Sequence, residues 1–396
     1  MITIVGGVYA ERCIEPLWDD IYGSGGRAAA AISAAVPAVR LVTYRARDLA
    51  DGIENLEAVY GIAVEGPEVP VGVTFDYMHS LSDPRISPRP DAIAPQEPIV
   101  VEDEVVLRFG MMEGTARVTA ARAVYDPQSA FDPRPFTENG SIAGELALIL
   151  NRLEATRLTG ETEPERMIAA LVAEEGADVV VLKLGGRGAL VADRATSHVV
   201  PAYRSETVWK VGSGDVFSAT FALFWGVERR PAREAADLAS RAVSHYAANR
   251  SLPIRSGDQL SQAALIPVVP GRGRIYLAAP FFNLGELWMV EEVRMRLLEM
   301  GVEVFSPLHD VGRGPAHAVA KADLDGLDGC SAVIAILNGG DAGTVFEIGY
   351  AVARGLPVVA LAQNVRPEDL KMPVGSGCVI VQDLVTAVYQ AVWALG

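Results

Sequence analysis

Short runs of apolar, mostly β-branched residues alternate with amphipathic stretches along the whole chain. The run at 177–182 and the run at 332–337 are each followed by a turn that contains glycine. Uninterrupted apolar runs of this length are typical of parallel strands that are buried on both faces, with the amphipathic stretches forming covering helices. The pattern therefore predicts an α/β fold.

A cluster of proline and glycine between 252 and 273 interrupts this alternation, and a new apolar run starts at Arg274. Such clusters before a fresh strand and helix are typical of linkers between domains. We therefore predict a first domain at 1–255, a linker at 256–273 and a second domain at 274–396. A chain of 396 residues has the length of two or three ordinary domains.

The composition is that of a globular protein, with 50% hydrophobic and 21% charged residues. The formal net charge of −16 disfavours nucleic acid and anionic membranes as partners and leaves small molecules as the expected ligands. No apolar stretch reaches the roughly 18 residues of a membrane span, and the N-terminus lacks the pattern of a signal peptide. The widely spaced Cys13, Cys330 and Cys378 fit a reducing, cytoplasmic location.

In the first domain, the segment 211–219 carries a glycine-rich turn that leads into a predicted helix. Gly212, Ser213 and Gly214 would expose backbone N–H groups at the positive end of the helix dipole, which suits a phosphoryl group. Asp215, directly after them, could accept a proton from an attacking hydroxyl. The alternative for an isolated segment of this kind is a tight turn in which the aspartate caps the helix.

Two further segments of this domain carry candidate chemistry. Asn151 and Glu154 lie three residues apart on one predicted helix face, where they could organise a hydrated Mg²⁺ or simply form a polar surface. Lys183 ends a predicted strand, and Gly185 and Gly188 follow it in a turn that by itself indicates a hairpin.

In this order, the three segments resemble the PfkB (ribokinase-like) family of sugar and nucleoside kinases. The resemblance covers about residues 1–250 and implies a central, mostly parallel sheet flanked by helices, with ATP and Mg²⁺ as cofactors. It implies that Asp215 is the catalytic base, that 212–214 form the anion hole, and that Asn151 and Glu154 serve Mg²⁺ and phosphate. The residues implied to border the nucleotide are Lys183, Gly185 and Gly188.

The same resemblance implies a substrate side formed by Glu11 and by the glycine pair Gly25 and Gly26. The chain departs from the family pattern at two places. Arg27 stands where the family has an asparagine, so recognition of the sugar is expected to differ. Trp209, Lys210 and Val211 replace an Asp-Thr-Thr triplet, so activation by K⁺ is not expected.

In the second domain, the segment 338–351 runs from a loop into a predicted helix and holds two carboxylates, Asp341 and Glu347. Glu347 stands between apolar neighbours, which a simple helix-capping role explains poorly. A partly desolvated carboxylate could attack an anomeric carbon while a second acid assists the leaving base.

This region resembles the nucleoside 2-deoxyribosyltransferase family over about residues 274–390, on three segments that begin at Ile275, Asp323 and Asp341. The resemblance implies a flavodoxin-like, doubly wound parallel sheet and a homo-oligomer whose site is completed across a subunit interface. It implies Glu347 as the nucleophile, Tyr276 as the residue that orients it, and Asp323 and Asp341 as the groups that handle the base or a proton.

Two further residues are predicted to contact the substrate of the second domain. Asn338 opens the loop that carries the two acids. Ser306, with Arg313 nearby, could bind a phosphate group.

A kinase beside a domain that cleaves N-glycosidic bonds suggests a bifunctional enzyme of nucleoside salvage or catabolism. The nucleoside could be phosphorylated and then split, or split first so that the freed sugar is phosphorylated. In a third interpretation, the first domain is a catalytically degenerate nucleotide sensor that regulates the second domain. Trp209 and Arg27, which depart from the family pattern, are then the signs of lost catalysis. A non-enzymatic scaffold is disfavoured, since Asp215 and Glu347 are both present.

Overall fold

The computed structural model describes residues 1–129, 132–194 and 196–396. This part of the chain forms two compact units, Met1–Pro267 and Val268–Gly396. The segment 256–273, predicted as a linker, includes the helix Gly257–Gln262, whose Leu260 is fully buried within the first unit.

The first unit alternates strands and helices over most of its length. In the described residues its strands are β1 (Ile2–Val5), β2 (Ala10–Glu15), β3 (Trp18–Ile21), β4 (Val39–Val42), β5 (Arg45–Ala46), β6 (Ala63–Glu65), β7 (Glu68–Val69), β8 (Thr74–His79), β9 (Arg85–Ser87), β10 (Ile99–Phe109), β11 (Ala116–Asp126), β12 (Ile142–Asn151), β13 (Val179–Lys183), β14 (Ala189–Asp193) and β15 (Ser197–Val200). Its helices are α1 (Gly23–Ile32), α2 (Ala50–Tyr60), α3 (Arg152–Thr159), α4 (Pro164–Glu175), α5 (Ser213–Phe221), α6 (Ala232–Asn249) and α7 (Gly257–Gln262).

The described strands of the first unit include a nine-stranded central sheet in the order β15-β14-β13-β12-β11-β10-β1-β4-β6. The sheet is parallel except at the β13–β14 and β14–β15 pairs. Along β1, Ile2 and Ile4 pack on one face with residues of α1, α5 and α6, while Val5 packs on the other face. Because both faces are covered there, β13 is almost entirely apolar, as the sequence pattern predicts, whereas the amino-terminal parts of β10 and β11 alternate buried and exposed residues.

A second, four-stranded sheet in the described part of this unit has the order β3-β2-β8-β9. It places Glu11 of β2 opposite Phe75 of β8 and Asp20 of β3. The glutamate side chain is 5% exposed, so it is directed into the protein rather than into solvent.

The second unit is a three-layer domain built on five described strands. They are β16 (Arg274–Ala278), β17 (Glu303–Phe305), β18 (Ala332–Ile336), β19 (Val358–Leu361) and β20 (Val379–Val381). The described helices are α8 (Leu284–Glu299), α9 (Ala316–Asp328), α10 (Ala342–Ala353), α11 (Lys371–Gly375) and α12 (Leu384–Trp393).

The five strands are all parallel and follow the order β17-β16-β18-β19-β20. This is the doubly wound, flavodoxin-like order, and it confirms the predicted fold class of this unit. In such sheets, ligands bind outside the carboxyl ends of the strands where the order reverses, here beside β16. None of the described helices combines the length and the hydropathy needed to cross a membrane.

The predicted substrate glycines of the first unit lie in α1, where every residue is buried. Gly25 packs directly on the chain that follows β1, since its backbone N–H donates to the Gly7 carbonyl at 2.9 Å. A Cβ atom on Gly25 would lie 2.6 Å from the carbonyl oxygen of Gly6. This close approach of two backbone segments accounts for glycine at this position.

Gly25→Ala should therefore lower the free energy of unfolding by about 1–3 kcal/mol, because a rigid backbone atom blocks the added methyl group. Gly26→Ala is the matched control, since its Cβ would meet the end of the flexible Leu56 side chain at 3.0 Å. Urea unfolding of both variants tests this, and equal losses of stability would contradict the packing argument.

Candidate active sites

Tyr276 and Glu347 meet at the core of the second unit. Tyr276 lies on β16, between β17 and β18 in the sheet, and is fully buried, and its hydroxyl donates to Glu347 Oε1 at 2.6 Å. Phe305 of the neighbouring strand β17 stacks on the tyrosine ring at 5.4 Å between centroids. The packed ring fixes the direction of the hydroxyl, so that the tyrosine holds the glutamate in one orientation.

The Glu347 carboxyl group carries a proton more readily than an exposed glutamate does. Burial raises the pKa of Glu347 to about 7, the hydrogen bond from Tyr276 opposes this rise, and the charges of Asp323 and Asp341 add to it. A carboxyl group with a pKa near neutrality can be ionised as a nucleophile or protonated as an acid within the physiological range.

Asp323 and Asp341 approach the same carboxyl group from two different helices. Asp323 lies on α9, burial raises its pKa, and its Oδ1 atom is buried with no hydrogen-bond partner in the described part of the chain. Asp341 is the N-cap of α10, where its Oδ2 accepts from the backbone N–H and the hydroxyl of Thr344 at 2.8 and 3.0 Å. The structure thus brings all four predicted catalytic residues of this unit together, and Asp341 also has a capping role.

The two predicted substrate contacts of this unit have protein partners of their own. Asn338, after β18, exchanges hydrogen bonds with Gln363, after β19, at 3.1 and 2.8 Å. Ser306, after β17, is 1% exposed, and its hydroxyl lies 3.0 Å from Nδ1 of His309. Both residues follow strand ends at the carboxyl edge of the sheet, but their side chains link loops to one another in this conformation.

In the first unit, the glycine-rich segment forms a turn and the start of α5, as its pattern predicts. Gly212 is the N-cap with φ +75°, a left-handed conformation that favours glycine. Ser213 begins the helix, and its hydroxyl accepts a hydrogen bond from the Lys210 ammonium at 2.8 Å. The pKa of Lys210 is lowered to about 8, first by burial and then by the neighbouring Lys183.

Asp215 lies in the first turn of α5 and is 7% exposed. Its Oδ2 accepts from a terminal nitrogen of Arg27 at 2.9 Å, and its Oδ1 accepts from the Gln128 amide at 2.5 Å. Arg27 is also bound through both terminal nitrogens to the Glu11 carboxylate. Glu11, Arg27 and Asp215, far apart in sequence, therefore form one buried ion-pair triad.

A second ionic cluster lies beside the same turn. Asp126, at the end of β11, is fully buried, and its Oδ2 accepts from Lys183 Nζ and from the Ser218 hydroxyl, both at 2.7 Å. Although burial alone lowers the pKa of Lys183, Asp126 and Glu154 raise it above its ordinary value. A Cβ atom on Gly214 would lie 3.7 Å from Lys183 Nζ, which places this ammonium next to the N-terminal turn of α5.

Asn151 and Glu154, the predicted metal-binding pair, have a structural role at the start of α3. Asn151 is the N-cap of α3, and it forms a reciprocal capping box with Glu154. Burial raises the pKa of Glu154 to about 7, and the nearby Asp126 carboxylate raises it as well. No group of three or more acidic, histidine or cysteine side chains that could hold a metal ion is present among the described residues.

Gly185 and Gly188 form the tight connection between β13 and β14, which pair as an antiparallel hairpin. Both have positive φ angles, of 60° and 93°. A Cβ atom on Gly188 would collide with the Val200 carbonyl, whereas Gly185 faces open space. Their spacing is accounted for by the hairpin.

The residues around α5 fit a phosphate-bearing cosubstrate such as ATP. They supply a glycine turn at a helix N-terminus, two ammonium groups and one buried donor, Arg27 Nε, without a hydrogen-bond partner in the described part of the chain. For Mg²⁺, the fitting donors are Glu154 and Asp126, whose buried Oδ1 also has no partner among the described residues.

Sequence reasoning missed Gln128, Asp126 and the hydrogen bond from Lys210 to Ser213. An aspartate that ends an apolar strand, as Asp126 does, is a recognisable signal for a group at the carboxyl edge of a parallel sheet. Gln128 has no such signal, since only the fold brings its amide to Asp215.

Two protein-family models match parts of this chain. The model described as pfkB family carbohydrate kinase matches residues 144–254. The model described as nucleoside 2-deoxyribosyltransferase matches residues 275–379. A comparison with curated proteins found no match.

Solved structures similar to this chain include ribokinases. The structure of ribokinase from Giardia lamblia has 18% sequence identity and a TM-score of 0.51, and the match covers 66% of this chain and 99% of that chain. Ribokinase from Arabidopsis thaliana complexed with ribose and ATP has 18% identity, the same coverage and a TM-score of 0.49. At such identities the likeness shows the fold alone, which is ribokinase-like.

The hydrogen bond from Tyr276 should lower the pKa of Glu347, because it stabilises the ionised carboxylate. Tyr276→Phe should therefore raise that pKa above about 7, by about one pH unit. The measurement is a ¹³C NMR titration of the Glu347 carboxyl carbon.

Tyr350→Phe is the matched control, because Tyr350 lies on α10, the helix that carries Glu347, but its hydroxyl donates to Asp328 at 3.1 Å. It should leave the Glu347 titration unchanged. An unchanged or lower Glu347 pKa in Tyr276→Phe would show that the tyrosine does not stabilise the carboxylate.

Proposed function

We propose that this chain, which joins a segment matching pfkB family carbohydrate kinases to one matching nucleoside 2-deoxyribosyltransferases, is a bifunctional enzyme of nucleoside salvage or catabolism. The first unit phosphorylates a hydroxyl of a nucleoside or pentose with ATP. The second unit cleaves an N-glycosidic bond or transfers the deoxyribosyl group to another base. The observation that carries the proposal is the half-buried Glu347 carboxyl group, which accepts a hydrogen bond from the Tyr276 hydroxyl at 2.6 Å.

In the second unit, the ionised Glu347 attacks the anomeric carbon as the bond from that carbon to the base nitrogen breaks. Tyr276 holds the attacking oxygen in place. Asp323, whose pKa is raised by burial, gives its proton to the departing base. Water or a second base then attacks the glycosyl-enzyme, returns a proton to Asp323 and frees Glu347.

In the first unit, Asp215 accepts the proton of the attacking hydroxyl while backbone N–H groups of 212–214 stabilise the phosphoryl group in transit. ATP supplies the phosphoryl group, and Mg²⁺ offsets the charge of its phosphates when it is bound. Glu154 and Asp126 are the carboxylates that could hold this ion. Glu11 serves the acceptor side through its ion pair with Arg27.

A second candidate function is favoured by the Arg27 ion pair. Because Arg27 and Gln128 engage both oxygens of Asp215, the first unit could bind a nucleotide without transferring phosphate and so regulate the second unit.

A homo-oligomer is part of the proposal for both candidate functions. Apolar side chains near the second site are left exposed in the single chain, among them Phe282 at 75% and Phe346 at 62%, and a second copy would cover them.

The order of the two reactions can be read from the ATP requirement of base release. The full chain is incubated with Mg²⁺ and a panel of nucleosides, with and without ATP, and ADP and free base are followed by chromatography. We expect base release to require ATP, because phosphorylation precedes cleavage. Release without ATP supports the reverse order, and ATP binding with no ADP formed on any acceptor supports the sensor.

The two active centres should fail independently. Glu347→Gln should reduce base release by roughly 10³-fold or more while ADP formation persists, because it removes the nucleophile and keeps its shape. Asp215→Asn should abolish ADP formation, while base release from an already phosphorylated nucleoside persists. Glu303→Gln, an exposed glutamate on β17, is the control and should alter neither rate. Undiminished base release by Glu347→Gln would refute the nucleophile assignment.

A further inference from the structure

Arg27 is a charged residue that is almost completely buried in the first unit. Its side chain is 1% exposed, although arginine is rarely buried so fully. Its guanidinium binds Glu11 through both terminal nitrogens and Asp215 through one of them, and it lies 5.1 Å from the centre of the Tyr22 ring. Two carboxylates thus share one cation, so that the triad alone carries a net negative charge.

One donor of this guanidinium is left over. Arg27 Nε is buried and has no hydrogen-bond partner in the described part of the chain. A buried N–H without an acceptor is costly, because it loses its hydrogen bonds to water and gains none. Such a group is a candidate contact for a ligand that brings an acceptor atom.

The unpaired Nε lies against the turn that begins α5. A Cβ atom on Gly212 would overlap Nε, Cδ and Cζ of Arg27, so the arginine occupies the space that the missing side chain leaves. The same turn presents the N-terminus of α5 and the ammonium of Lys210 bound to Ser213. Nε therefore lies beside the turn at which the dipole of α5 and the Lys210 ammonium favour an anion.

Two donors occupy part of the hydrogen-bonding capacity of Asp215, the proposed base. Asp215 Oδ2 is engaged by Arg27 and Oδ1 by Gln128, which holds its own backbone at φ +46°, an uncommon conformation for a non-glycine residue. A general base must lie within hydrogen-bond distance of the hydroxyl proton that it takes. Each Asp215 oxygen therefore has one of its acceptor positions occupied, and the departure of Arg27 would leave a further position for the hydroxyl proton.

We propose that Arg27 is a phosphate-binding residue that exchanges partners when a polyphosphate donor binds. Its guanidinium gives up the ion pair with Asp215 for the terminal phosphate of the donor, keeps Glu11 as counter-ion, and so frees Asp215 to accept a proton. This inference rests on the proposed phosphoryl transfer in the first unit and adds a residue to it.

A polyphosphate is better suited to this exchange than a neutral acceptor. A hydroxyl group cannot replace the carboxylate as a counter-ion, so it would leave a buried guanidinium with less compensation. A phosphate oxygen carries the charge and the acceptor geometry that a guanidinium binds best. Binding of the phosphate donor, rather than of the sugar, is therefore the event that releases Asp215 from its ion pair with Arg27.

The test measures binding of inorganic tripolyphosphate and of ATP, each with Mg²⁺, to the full chain by isothermal titration calorimetry. The single variant Arg27→Lys keeps the positive charge but loses the planar set of guanidinium N–H donors. The double variant, Glu11→Gln together with Arg27→Gln, removes one negative and one positive charge. We expect both variants to bind both probes about tenfold more weakly or worse. The double variant leaves the net charge of the Glu11, Arg27 and Asp215 triad unchanged, which guards against unfolding. Circular dichroism checks that each variant is folded.

Arg12→Gln is the matched control, because Arg12 neighbours Glu11 on β2 but is exposed and pairs with Asp19. It should bind both probes as the wild type does. Wild-type affinity in both Arg27 variants, or no binding of either probe by the wild-type chain, would overturn the proposal.

ADP formation separates this inference from the proposed function. If the wild type binds tripolyphosphate and ATP but forms no ADP with any acceptor, the kinase function fails. The phosphate contact of Arg27 then still stands or falls on the affinities of the two variants. If the wild type forms ADP and the variants keep full affinity, the kinase function stands and the Arg27 proposal is wrong.

Discussion

A carboxylate that is removed from water needs a compensating donor or cation, and this constraint organises both candidate sites. In the first unit, Glu11 and Asp215 are both nearly buried, and Arg27 compensates them together. In the second unit, Glu347 has no cation at hydrogen-bonding distance among the described residues. It is compensated by the Tyr276 hydroxyl and by a pKa near neutrality, so two different solutions serve two different chemistries.

The parallel sheets decide where these groups meet. In each unit the chemistry gathers near the carboxyl ends of strands, with Asp126 and Lys183 ending β11 and β13. The helix that follows a strand then presents its N-terminus to the same edge, as α5 and α10 do. A charged side chain on the first turn of such a helix can be buried and still remain next to a ligand, because the dipole favours anions there.

Much of the second unit could be predicted from the sequence. The spacing of Asp341 and Glu347 indicated a loop running into a helix, and the structure has Asp341 as the N-cap and Glu347 within α10. The predicted partner Tyr276 lies on β16 and donates to Glu347. These residues lie in short, regular strand–loop–helix segments, where the local pattern determines both the element and the face on which each side chain lies.

The sequence by itself determined the α/β class and the position of the glycine turn before Asp215, because hydrophobic periodicity and glycine are local signals. Only the tertiary structure decided what Asp215 contacts. Arg27 lies 188 residues before it in the chain and Gln128 lies 87 residues before it. Such long-range contacts depend on how whole elements pack, and a local pattern carries no information about that packing. The capping box of Asn151 and Glu154, predicted as a metal pair, is by contrast a local feature, because residues three apart at a helix start can satisfy each other's backbone N–H groups.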